Sequence, residues 1–266
     1  MRIARFAHTE GMSFGLVEGE RSESSDAFAG LTVAEIEGHP FGPIRATGRR
    51  WALPDVRLLS PILPSKVVCV GRNYADHAAE HGAEVPAEPL LFLKPSTSVI
   101  GHRDIVRLPP QSKRVEHEAE LAVVIGSPGA RRVDRAGAAA AIFGYTCAND
   151  VSARDLQRAD GQWTRAKGFD SFCPLGPWIV TGVDADDLEV RCEVNGEVRQ
   201  LGRTKDMVFD PAVLVSYVSH VMTLLPGDVV LTGTPAGVGP LTEGDIVTVR
   251  IEGIGSLTNA VAKLEA

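Results

Sequence analysis

No two of the four cysteines, Cys69, Cys147, Cys173 and Cys192, lie close together in the chain, and none forms a C-x-x-C pair. That spacing argues against a structural zinc site and gives no disulfide framework, so a reduced, cytoplasmic setting fits the sequence best. No Lys/Arg-rich tract interrupts a chain that carries 27 Lys+Arg against 34 Asp+Glu and a net charge of -7, so nothing offers a row of cations to a nucleic-acid backbone. No segment approaches the ~20 apolar residues that a membrane-spanning helix needs. The amino terminus "MRIARFAHTEG" has charge but not the apolar stretch of a signal peptide. Fixed-period repeats and low-complexity segments are absent as well. The loop "GTPAGVGP", Gly233 to Pro240, lacks the G-K-[ST] ending and a following helical pattern, which argues against a phosphate loop. Nucleic acid, membrane and nucleotide are therefore not the expected partners.

What is present is a chain of 266 residues, long enough to bury a substantial core. "MRIARF" and "SFGLVEG" read as short strands of a small N-terminal β domain, residues 1–60, after which a Gly- and Pro-punctuated stretch leads into a larger domain, residues 61–266. In that second part β-type runs dominate: "KVVCVG", "PLLFLK", "ELAVVIG", "PWIVTG", "LEVRCEVNGEVRQ", "DVVLTG" and "DIVTVRI". Asn195-Gly196 reads as a type I′ hairpin turn, since both residues tolerate positive φ. The clearest helix is "DPAVLVSYVSHVMTLL", with Asp210 as cap, Pro211 in the first turn, and Leu214, Val218, Val221 and Leu225 on one face. Shorter helices are expected over "NYADHAAEHG", "VDRAGAAAAIF" and "SARDLQ". The expected fold is α+β and β-rich, a mixed arrangement and not a βαβ array.

The stretch "RVEHEAELAVVIG" sets glutamates at every second position directly before a five-residue apolar run. On a strand, Glu116, Glu118 and Glu120 share one face, with His117, Ala119 and Leu121 on the other. A strand with a wet outer face would account for the glutamates alone. The run "LAVVI", however, is apolar on both faces, as in a strand covered on both sides, so the glutamates stand where the strand enters the interior. Bare carboxylates there are expensive unless something positive accompanies them. Mg²⁺ or Mn²⁺, which take oxygen ligands, would answer that need. Asp150 in "GYTCANDVSARDLQ", on a strand-to-helix turn before a capping Ser152, is a candidate third ligand, although an ordinary turn aspartate fits the same position. Asp155 reads as a helix-surface residue.

In their order along the chain, "VVCVGRNYADHAAEHG", "PLLFLKPSTSVIG", "EHEAELAVVIG", "GYTCANDVSARDLQ", "WTRAKGFDSFCPLGPWIV" and "GDVVLTGTPAGVGPL" resemble the fumarylacetoacetate hydrolase family. The similarity runs over residues 60–262 and is to the smaller branch, with acylpyruvases, oxaloacetate decarboxylases and the isomerase/decarboxylase of homoprotocatechuate breakdown. It implies a mixed β-roll catalytic domain, a homodimer, and one Mg²⁺ or Mn²⁺ held by an E-x-E pair and a later aspartate. Matched to this chain, those ligands are Glu118, Glu120 and Asp150, with Glu116 outside the pattern.

The same resemblance gives Lys167 a place beside the substrate, where a cation spreads developing negative charge; taken alone it fits a solvated lysine equally. His77 and Glu80, three apart on a helical turn, match a pair on a lid over the metal. A carboxylate behind an imidazole makes it a better base, whereas an isolated H-x-x-E is a common solvated face. His81 does not match. Thr234 matches a threonine that contacts the substrate carboxylate, and Arg72, Tyr74, Lys94, Ser96 and Gln157 are further substrate-binding candidates, Arg72 and Lys94 suiting an anionic acid best.

The leading expectation is a divalent-metal-dependent enzyme acting on small 2-oxo acids through a metal-stabilised enolate, by acylpyruvate C–C hydrolysis or oxaloacetate-type decarboxylation. A second is isomerisation and decarboxylation of a longer unsaturated dicarboxylate, which needs no attacking water. The third is a non-catalytic metal-binding relative.

Overall fold

The computed structural model describes residues 1–19, 28–80 and 82–264. It is β-rich, with three sheets of twelve, five and three strands among the described residues. The large sheet runs Ala46–Ala52, Thr32–Ile36, Gly11–Glu18, Arg2–His8, Cys173–Val180, Ile142–Asn149, Ala119–Ile125, Val229–Leu231, Val67–Gly71, Leu90–Lys94, with two short strands attached at its side. Most of its pairings are antiparallel; Val229–Leu231 runs parallel to Val67–Gly71, and the short strand Val99–Ile100 parallel to Cys173–Val180.

The N-terminal strands form an antiparallel meander of their own and join the large sheet where Arg2 and Ile3 pair with Val180 and Ile179. Their inner faces, including Phe6, Leu31 and Val33, belong to the same apolar cluster as Trp178 and Leu121.

The strand Ala119–Ile125 lies at the centre of the sheet and is buried along its whole length. Its alternation explains the apolar run. Val123 and Ile125 pack with Leu214, Val215 and Val218 of the helix Pro211–Val221, while Ala122 and Val124 face the opposite side with Val67, Val229 and Ile179. Only a sequence apolar at every position can satisfy both.

Asp210 caps the long helix, accepting a hydrogen bond from Val213 N, with Pro211 in the first turn. The apolar face expected from its sequence needs correction: Leu214 and Val218 are buried, but Val221 and Leu225 are 59% and 49% exposed. The helix ends at Val221, where Met222 turns to extended backbone (φ -149°), so Leu225 never joins the helical face. The core is served instead by Leu214, Val215 and Val218. Asn195 and Gly196 both adopt positive φ, 54° and 80°, closing the hairpin between Glu189–Val194 and Glu197–Arg203 as that dipeptide predicts. No helix among the described residues is long and apolar enough to cross a membrane.

Ile125 is fully buried between strand and helix. Ile125→Ala is expected to lower unfolding free energy by about 2–5 kcal/mol, measured by urea denaturation, because the surrounding sheet and helix cannot collapse into the space.

Candidate active site

The glutamate-bearing segment is not one strand. Pairing stops at Glu118, between a short strand Val115–His117 in the three-stranded sheet and the central strand Ala119–Ile125. The break separates the three glutamates. Glu116 turns to Arg114 Nε at 2.6 Å and Arg154 Nε at 2.7 Å, whereas Glu118 and Glu120 converge with Asp150. Asp150 arrives there because it follows Ile142–Asn149, the antiparallel neighbour of the central strand, and its N–H donates to Glu118 O at 2.9 Å. Asn149 Oδ1 accepts from Glu118 N at 2.9 Å, closing the corner.

Ser152 does not cap the following helix. It belongs to a two-residue strand paired with Val115 and Glu116, its hydroxyl donates back to Asp150 O, and the helix Arg154–Asp160 starts after Ala153 without a side-chain cap. Asp155 is half-buried and not a plain surface residue, since it accepts from Ser112 Oγ and Lys113 N.

One ligand atom from each of Glu118, Glu120 and Asp150 lies within 4.8 Å of the others, and all three residues are buried. Lys167 Nζ donates to Glu118 Oε2 at 2.9 Å and Asp150 Oδ2 at 2.8 Å, Lys94 Nζ donates to Asp150 Oδ1 at 2.5 Å and Val151 O at 3.0 Å, and Arg154 binds the other oxygen of Glu118. Burial alone would push the Glu118 carboxyl up; the Lys167 and Arg154 cations overcome it and hold Glu118 well below the ordinary carboxylate range. Glu120 goes the other way. It accepts a hydrogen bond from Gly233 N at 2.6 Å, but no cation forms an ion pair with it among the described residues, and burial followed by the charges on Asp150 and Glu118 pushes its carboxyl well above the ordinary value. A cluster of hard oxygen donors with one carboxyl short of positive charge fits a hard divalent cation.

Beside this cluster is a cavity of about 360 Å³ lined by Glu118, Glu120 and Lys167 and also by Arg72, His77, Glu80, Gln157 and Thr234. His77 Nδ1 and Glu80 Oε2 are 3.4 Å apart on the short helix Ala75–Glu80, and Glu80 also accepts from Gly237 N at 3.2 Å, tying the helix to the Gly-rich loop. That loop comes close for a reason: Gly237 has φ 99°, and a Cβ there would stand 2.2 Å from Arg199 O. His81 lies outside the described residues.

Three of the substrate-binding candidates do not line the cavity. Lys94 is buried against Asp150, its charge committed beneath the cluster. Tyr74 is 3% exposed with no hydrogen-bond partner for its hydroxyl among the described residues, and Ser96 sits exposed on a turn, Ser96–Ser98. Two residues that the sequence reading passed over do line it, Arg154 and Arg158. With Gln157 they occupy positions i, i+3 and i+4 of one helix, a spacing that could have singled them out.

A family model described as fumarylacetoacetate (FAA) hydrolase, C-terminal, matches residues 66–262. The chain belongs to the fumarylacetoacetate hydrolase family. Residues 1–61 match a second model, Rv2993c-like, N-terminal. Among solved structures, the chain is similar to a 2-hydroxyhepta-2,4-diene-1,7-dioate isomerase from Mycobacterium marinum, at 53% identity over 100% of both chains with a TM-score of 0.92. It also resembles a fumarylpyruvate hydrolase from Pseudomonas aeruginosa, solved with Mn²⁺ and pyruvate, at 34% identity over 75% of this chain and 90% of that one, TM-score 0.71. Human mitochondrial oxaloacetate tautomerase FAHD2A is 48% identical over 78% of this chain and 70% of its own length. The β-rich α+β architecture is that of the family.

Proton linkage at this carboxylate cluster has a definite sign. Because the Glu120 carboxyl is raised in the folded protein, between the ordinary value of 4.5 and the raised one the folded protein keeps a proton that the unfolded chain gives up; the stability from this group is complete below 4.5 and is lost as pH rises through the raised value. A cation requires the ionised carboxylate, so metal binding is expected to release protons and to tighten as pH rises. Calorimetric titration with Mg²⁺ at several pH values, in buffers of different ionisation enthalpy, measures both.

Proposed function

We propose that this chain is a Mg²⁺- or Mn²⁺-dependent enzyme that moves a proton at the carbon beside the 2-oxo group of short 2-oxo dicarboxylic acids. The observation that carries the reading is the convergence of Glu118, Glu120 and Asp150, with Glu118 and Glu120 lining a cavity that His77 and Glu80 also line. The similarity to a fumarylpyruvate hydrolase solved with Mn²⁺ and pyruvate supports the choice of cofactor and of a 2-oxo acid. Glu118, Glu120 and Asp150 would hold the ion, and when bound it polarises the 2-oxo carbonyl and stabilises the enolate.

The chain's own residues supply the rest. Lys167, held at 2.9 Å and 2.8 Å from two of the carboxylates, keeps a fixed positive charge beside the reacting oxygen. His77 transfers the proton, with Glu80 behind it fixing the ring and supporting its basicity. In keto–enol interconversion His77 takes the C3 proton and returns it to oxygen or carbon. In decarboxylation the C3–C4 bond breaks, carbon dioxide leaves with the bonding electrons going to the enolate, and His77, having taken a proton from solvent beforehand, delivers it to C3. In C–C hydrolysis His77 takes a proton from water, hydroxide adds to the C4 carbonyl, the C3–C4 bond breaks, and C3 receives that proton. One proton-transfer group serves all three overall reactions, as base and acid in tautomerisation and hydrolysis and as acid in decarboxylation.

Charge at the cavity favours a dicarboxylate. Lys94, Lys167 and Arg154 are committed to carboxylates, while Arg72 and Arg158 line the cavity with no ion pair among the described residues. Arg72 and Arg158 would receive the substrate's distal carboxylate. The tautomerase and isomerase relatives favour proton transfer without bond cleavage over decarboxylation and hydrolysis.

The test is turnover of oxaloacetate, acetylpyruvate and 2-hydroxyhepta-2,4-diene-1,7-dioate with Mg²⁺, with Mn²⁺ and after EDTA, on wild type, Glu118→Ala and Arg158→Gln. Expected are metal-dependent turnover abolished by Glu118→Ala and, for Arg158→Gln, a KM for the dicarboxylates raised about tenfold with acetylpyruvate unaffected. Turnover indifferent to EDTA and to Glu118→Ala would reject the mechanism.

A further inference from the structure

The Gly-rich loop and the carboxylate-bearing strand are joined through a residue that belongs to neither. Gln200 is fully buried in the strand Glu197–Arg203 of the five-stranded sheet and does not line the cavity. Its Oε1 accepts from Ala119 N, the residue between Glu118 and Glu120, and from His117 Nδ1, both at 3.0 Å. Its Nε2 donates to Thr234 Oγ1 and to Pro235 O, both at 2.7 Å.

Two of these four partners have fixed polarity. A backbone N–H can only donate and a backbone carbonyl can only accept, so Ala119 and Pro235 leave the amide a single orientation. The remaining directions follow. His117 carries its proton on Nδ1, and Thr234 Oγ1, which accepts from Gln200, donates its own proton to Ala119 O at 2.8 Å. Both donors and both acceptor positions of the amide are used, so the network has no second arrangement of equal energy.

The bonds close a ring: Ala119 N–H, the Gln200 amide, the Thr234 hydroxyl, and Ala119 carbonyl. They fasten the Gly233–Pro235 turn to the residue that separates the two glutamates. The adjoining Gly233 N–H donates to Glu120, so any slip of the turn would move that carboxylate and the Thr234 hydroxyl together.

We infer that Gln200 is a positioning residue, setting from the neighbouring sheet how the Glu118–Glu120 segment and the Gly-rich loop face each other, and thereby both cation affinity and substrate affinity. This rests on reading Glu118, Glu120 and Asp150 as a cation site. Gln200→Leu removes all four hydrogen bonds. Gln200→Glu keeps the shape and the acceptor side toward Ala119 and His117, but loses both donors toward the loop.

The experiment is titration of wild type and both variants with Mn²⁺, followed by electron paramagnetic resonance of the free ion, alongside melting temperature and KM. Expected are a Kd for Mn²⁺ raised about 10- to 100-fold in Gln200→Leu, a smaller rise in Gln200→Glu, and a higher KM in both. A purely structural role would lower melting temperature and yield but leave Kd and KM of the folded fraction at wild-type values, and that result overturns the inference. Should Gln200→Leu fail to fold, the near-isosteric Gln200→Glu decides alone, and wild-type Kd and KM in it overturn the inference equally. If wild type itself binds no Mn²⁺, the cation-site reading has failed and this inference falls with it; wild-type binding with unaltered variants rejects Gln200 only.

Discussion

Three carboxylates gathered inside a protein repel one another and resist leaving water, and the arrangement around Glu118, Glu120 and Asp150 follows from that constraint. Lys94 lies beneath, Lys167 bridges two of the three, and Arg154 spans from Glu116 to Glu118. Each cation comes from a different part of the chain: the strand Leu90–Lys94, the helix Arg154–Asp160 and the helix Thr164–Lys167. The cluster therefore depends on tertiary structure far more than on the segment that carries the glutamates. Glu120, which among the described residues is reached by a backbone N–H and forms no ion pair, is where the missing charge is concentrated.

The fold delivers this arrangement by burying one strand on both faces and then breaking it. Residues 121–125 are covered by the helix layer on one side and by the cluster around Ile179 and Val229 on the other, so the strand's end is fixed in direction. At Glu118 the pairing changes sheet, and Glu116, though buried, is taken by Arg114 and Arg154 and does not belong to the cluster formed by Glu118, Glu120 and Asp150.

Much of this was legible in the sequence, and the failures have physical reasons. Local rules worked where local forces decide: the Asp210 cap, the Asn195-Gly196 turn, the doubly apolar central strand. The Glu118–Glu120 spacing pointed to a buried carboxylate cluster, because buried charge is rare enough to need an explanation. Val221 and Leu225 were misplaced because helical periodicity says which residues share a face and not where the helix stops. Ser152 was read as a cap because its neighbours in sequence allow one, but strand pairing with Val115–Glu116 takes it. Lys94 suited an anionic ligand by charge, yet its partner, Asp150, is 56 residues away. Gln200 gave no signal at all, since its partners lie 81 and 34 residues away and an isolated glutamine on a hairpin has no pattern.

The cations of the site fall into two groups that differ in what the fold asks of them. Those under the carboxylates are buried and paired, and removing any one would strand a charge in the interior. Arg72 and Arg158 stand exposed at the rim and, among the described residues, form no ion pair. Exchanges at exposed positions without partners leave folding nearly unchanged. If the proposed function holds, descendants of such a chain can drift between acids of different length and charge by altering the rim while the floor stays fixed: foldability and substrate choice would then be written in separate residues, and selection could act on one without endangering the other.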